Sequence, residues 1–90
     1  MDKIIYTLDT PVQFTPSRLV EELSFKTDMS VRDLRRLEGQ QGSVGAGATL
    51  LSLLSGEPVE LIDALSAHDF FKAQEMIRPF LKTILGTGAN

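Results

Sequence analysis

Ninety residues make at most one domain, and a chain this short buries only about two-thirds of its unfolded surface, so its own stability is marginal. A net charge of −3 and a pI near 5.0 weigh against nucleic acid as the main partner, because phosphate neutralisation calls for a basic patch. There is no cysteine, which excludes a disulfide framework and thiolate chemistry.

The N-terminus, Met1-Asp2-Lys3-Ile4, lacks the charged-then-apolar design of a signal peptide, and no run approaches the ~18 apolar residues of a membrane span. A soluble intracellular protein is expected. Lys3 to Leu8 is β-rich, with Ile4, Tyr6 and Leu8 on one side and Ile5 and Thr7 on the other. Pro11 cannot donate a ladder hydrogen bond and marks an edge, a bulge or a break. Val12-Gln13-Phe14 resumes the strand, and Thr15-Pro16-Ser17 is a turn signal. In Arg18 to Phe25, period two groups Leu19, Leu23 and Phe25 on one face with Glu21 as a misfit. It puts Val20, Glu22, Ser24 and Lys26 on the other, mostly polar face. The pattern predicts a β-hairpin over residues 3–26. Alone it is marginal, so it needs helices or another copy of itself.

The rest reads as helix. Ser30 with Asp33 caps a helix over 30–38, with Val31, Leu34 and Leu37 at helical spacing. Residues 39–47 hold four glycines, two glutamines and a serine, and are expected to be a flexible linker. Three helices are expected over 48–85, joined at Ser55-Gly56-Glu57-Pro58 and at Ser66-Ala67-His68-Asp69. Gly56 can stop one helix, Pro58 fits the start of the next, and Ser66 with Asp69 resembles a capping box. Residues 86–90 are expected to be a disordered tail. The fold class is α+β: one small domain, an N-terminal hairpin followed by about four helices.

Few residues offer chemistry. Gly42 to Thr49 is one residue short of a phosphate-binding loop. Ala48 replaces the lysine that supplies the phosphate counter-charge, and no convincing strand precedes it, so a glycine connector is preferred. His68 is the only histidine, placed in the first turn of a capped helix where a side chain is usually solvated, with no nucleophile or second histidine to join it. Glu57, Glu60 and Asp63 read as dipole partners and solubilising charges. Arg32, Arg35 and Arg36 form the one basic cluster, read as a solvated face or a site for an acidic partner. Residues 48–65 could pass for a helix-turn-helix, but the would-be recognition helix is acidic. No catalytic residue, cofactor or metal site is assigned.

The C-terminal helix carries the strongest signal. Phe70, Ala73, Ile77, Phe80 or Leu81, and Ile84 make one stripe, widened by Phe71, Met76 and Leu85. Pro79 should kink or break it, freeing the carbonyl near Glu75. Surplus apolar surface on a small domain is a contact surface. Phe71, Met76, Phe80, Leu81, Ile84 and Leu85 are therefore the candidate partner-binding residues. The strand edge at Ile4, Tyr6 and Leu8 is a candidate oligomerisation edge.

From about Leu8 to Leu85 the chain resembles the small tail assembly chaperones of Mu-like and P2-like contractile-tailed bacteriophages. The landmarks are Leu8 with Pro11-Val12, Glu22-Leu23-Ser24-Phe25, Val31 to Leu37, the leucine-rich helix, Ser55-Gly56-Glu57-Pro58, Leu61 to Ser66, Asp69-Phe70 and Pro79-Phe80-Leu81. The Thr15-Pro16-Ser17 turn and the glycine content of 39–47 depart from the pattern. The resemblance implies a non-enzymatic protein of the bacterial cytoplasm, absent from the mature virion. It would bind the tape measure protein and keep it soluble before the tail tube polymerises, acting as a homo-oligomer and, as in many members of that family, alongside a frameshift-extended form of itself. The alternatives are a small oligomeric DNA-binding regulator and a structural tail or head-completion protein.

Overall fold

The computed structural model describes residues 3–38 and 42–85, with Ser43 and residues 82–85 described by backbone alone. Two antiparallel strands, β1 (Lys3–Thr15) and β2 (Arg18–Lys26), form the hairpin. Four helices follow: α1 (Val31–Leu37), α2 (Gly42–Ser55), α3 (Val59–Asp63) and α4 (Ala67–Leu85). The α+β order read from the sequence is the order observed.

The hairpin is not regular. Ile4 pairs with Phe25, Tyr6 with Leu23 and Thr7 with Glu22, but the next pair is Val12 with Val20. Leu8, Asp9, Thr10 and Pro11 therefore stand opposite the single residue Glu21. A bulge of this size shifts the phase of β2 relative to a simple alternation. Val20 joins Leu23 and Phe25 in the core, and Leu19 points to solvent. This corrects the period-two assignment, which had Leu19 inside and Val20 outside. The chain needs the bulge because Pro11 has no N–H to give a ladder.

Against the apolar face lie two helices, α2 over β2 and α4 over β1. Phe25, Leu23, Leu51, Leu61, Ile62 and Ile77 are its largest fully buried apolar side chains. Burying each is worth roughly 1.5–3 kcal/mol. α1 is capped as expected: the Asp33 amide donates to Ser30 Oγ, and the Ser30 amide donates to the Asp33 carboxylate. It buries no residue. The Ser30 amide, followed by the Lys26 ammonium at 3.0 Å, holds the Asp33 carboxyl below the ordinary aspartate range.

The linker expectation is overturned in its second half. Residues 39–41 lie outside the described residues, but Gly42 to Gly47 form the first turns of α2 rather than a connector. Gly47 is buried, and a Cβ there would sit 2.6 Å from Gln74 Oε1 of α4. The Gln74 side-chain amide covers Gly47, and tertiary packing outweighs the poor helix propensity of glycine. The tail, 86–90, lies outside the described residues.

α2 ends where expected. Gly56 takes φ +75°, and its N–H bonds the Ser52 carbonyl at 2.9 Å. Nothing lies within 4 Å of a Cβ built there, so Gly56→Ala meets only backbone strain. That variant should lose about 1 kcal/mol in a urea titration. Pro79 does not break α4, which runs to Leu85 with the proline inside it. Proline removes one N–H, but the turns on either side keep their bonds.

Candidate functional site

What fixes α4 is one carboxylate. Asp69 is fully buried, at 0% exposure, and accepts four hydrogen bonds. The Tyr6 hydroxyl donates to Oδ1 at 2.7 Å, the Asp9 amide to Oδ1 at 2.9 Å, the Thr10 amide to Oδ2 at 3.0 Å and Ser66 Oγ to Oδ2 at 3.1 Å. The Asp69 amide returns a bond to Ser66 Oγ at 3.1 Å. The helix cap read from the sequence is thus also the acceptor for the two amides that the bulge removes from the ladder. Burial alone pushes the Asp69 carboxyl up, but the bonds from Tyr6, Asp9, Thr10 and Ser66 outweigh it and hold it below the ordinary range. Burial, and then the bond to Asp69, push the Tyr6 hydroxyl well above its ordinary value. At the rim, exposed His68 Nε2 lies 2.9 Å from Asp9 Oδ2.

Beside the start of α4 an apolar groove of about 320 Å³ opens, lined by Val44 and Ala48 of α2, Ile62 and Asp63 of α3, and Phe70 and Phe71 of α4. Phe70 is buried and meets Phe71 edge to face, ring centroids 5.2 Å apart. Phe71 is 54% exposed and Val44 is also exposed, so the mouth of the groove is apolar. Among the described residues, Asp63 is the only charged one lining it.

The six candidate partner-binding residues do not form one patch. At ~100° per residue, Met76 and Phe80 lie within ~40° of each other on α4, whereas Phe71 lies ~140° or more from both. Met76 and Phe80 are 39% and 42% exposed, whereas Leu81, ~100° or more round the helix from both, is half-buried against the core. The side chains of Ile84 and Leu85 lie outside the described residues. At the other candidate site, the Tyr6 and Leu8 side chains are buried and Ile4 packs against the core. What β1 offers outward there is backbone and the exposed Ile5.

Two features were not readable in the sequence. Asp69 as a long-range acceptor left no trace, because its spacing to Ser66 shows only the local cap. Val44 left a faint one, as a lone branched side chain among small residues. The near-match to a phosphate-binding loop is helical from Gly42 on, so it forms the first turns of a helix rather than a loop between a strand and a helix. Among the described residues no cluster of three His, Cys, Asp or Glu side chains is placed to hold a metal ion. No helix among them is long and apolar enough to cross a membrane. No protein-family model, curated protein or solved structure matches the chain.

Proposed function

We propose that this protein is a non-enzymatic assembly chaperone of a contractile phage tail, which binds apolar helical segments of the tape measure protein in the host cytoplasm and leaves before the virion is complete. The observation that carries this reading is the exposed pair Met76 and Phe80, one turn apart on α4. A thioether and an aromatic ring side by side suit an amphipathic helix of variable sequence, because Met adapts its shape and Phe supplies area. The client helix lays its apolar face along α4 and is released when the tube offers a larger apolar surface. Contacts of this kind are numerous and individually weak, as release requires. The acidic balance of the chain, −3 overall, keeps the complex in solution.

Capture of tape measure fragments by the tagged protein tests this. Wild type should retain fragments with amphipathic helical pattern. The Met76→Asp/Phe80→Asp variant, with an unchanged melting curve, should bind at least about tenfold more weakly, since each side chain contributes over 1 kcal/mol when covered. Wild type that captures no fragment overturns the function. A folded double variant that captures normally overturns the assignment to α4.

A further inference from the structure

α1 and the groove are complementary to each other. α1 buries no residue and leaves Val31 72% exposed. Arg35 lies four residues on, hence on the same helix face, and is exposed with no ion-pair partner among the described residues. The groove presents the inverse: an apolar mouth at Val44 and Phe71, and one exposed carboxylate, Asp63, likewise unpaired among the described residues. No α1 residue lines the groove, so the helix of the same copy does not fill it.

We propose that the groove receives α1 of a second copy, with Val31 seated between Val44 and Phe71 and Arg35 paired with Asp63. The contact is head-to-tail. An open assembly keeps a free groove at one end and a free α1 at the other until a ring closes, and without closure it grows as a filament. The apolar part is small, so the ion pair contributes a large share of the attraction and association falls with salt. The contact forms whether or not a client is present, and it uses the Phe71 side of α4, leaving the Met76–Phe80 line open.

The test is light scattering after size exclusion on the purified protein, without client, across a wide range of protein concentration and at low and high salt. The mass of wild type should rise with concentration and fall with salt. Asp63→Arg and Arg35→Asp should each weaken association by roughly tenfold or more, because each places like charges at the contact. Both positions are exposed, and equal melting temperatures establish that the variants fold. An equimolar mixture of the two single variants should associate again, since native α1 of one meets the native groove of the other and the swapped pair is also complementary. The Asp63→Arg/Arg35→Asp double variant should associate on its own. A wild type that stays monomeric, single variants that associate like wild type, or a mixture that stays monomeric each overturns the proposal.

Discussion

Asp69→Ala should cost the domain about 4 kcal/mol in a urea titration followed by circular dichroism, a large part of its stability. The change takes the acceptor from the buried Tyr6 hydroxyl and from the part-buried amides of Asp9 and Thr10. Each unmade bond of a buried group costs ~1–3 kcal/mol, and a domain of this size has only ~5–15 kcal/mol in all. Tyr6→Phe keeps the ring and removes one donor, so its loss should be smaller, about 2 kcal/mol. If Asp69→Ala melts with wild type, the clamp does not hold the hairpin.

The same clamp sets the response to pH. The folded Asp69 carboxyl titrates below its unfolded value of 3.8, so its contribution is fully present above that value. It is lost as pH falls through the folded one, and Asp33 acts in the same direction. The Tyr6 hydroxyl titrates above its ordinary 10.0. Its contribution is complete below pH 10 and is lost as pH rises beyond it. Tyr6→Phe should therefore flatten the alkaline limb of the stability profile, and Asp69→Asn the acid limb.

Val20→Asp should be nearly as damaging, at about 4 kcal/mol, while its neighbour Leu19→Asp should change stability by about 0.5 kcal/mol or less. Val20 is 5% exposed in the core, and a carboxylate there has no partner. Leu19 is 52% exposed. The pair reads the register of the hairpin directly, because slipping β2 by one residue exchanges the two faces. Melting temperatures of the two variants decide it: equal effects, or the reverse order, mean the strand sits in the other phase.

These two residues also mark where the sequence stops being legible. Local signals carried well. Ser30 with Asp33, Gly56 and Ser66 all sit at helix ends, because caps depend on residues three or four apart. The existence of the hairpin was legible from β-rich composition and the turn at Thr15-Pro16-Ser17. Its phase was not, because the bulge depends on an acceptor about sixty residues away. The start of α2 was hidden for a related reason. Glycines predict a flexible connector on their own, and the packing of Gln74 over Gly47 comes from a helix far away in the sequence. Of the candidate site, the apolar content of α4 was visible, but its division into two faces was not. Period 3.6 orders the residues round the helix, yet which sectors α2, α3 and the hairpin cover is decided by tertiary packing.

The reach of Asp69 has a further meaning for how the protein comes into being on a ribosome. Translation delivers β1 and β2 first, but the amides of Asp9 and Thr10 have no acceptor until residue 69 has been made and has left the exit tunnel. A nascent hairpin is free to pair in the simpler, wrong phase meanwhile, with Leu19 inside. Non-local contacts of this kind form slowly, because the loop must close before they reward it. The first-made segment is therefore the last to settle. The young chain shows its apolar strand face to its surroundings until its own C-terminal helix docks.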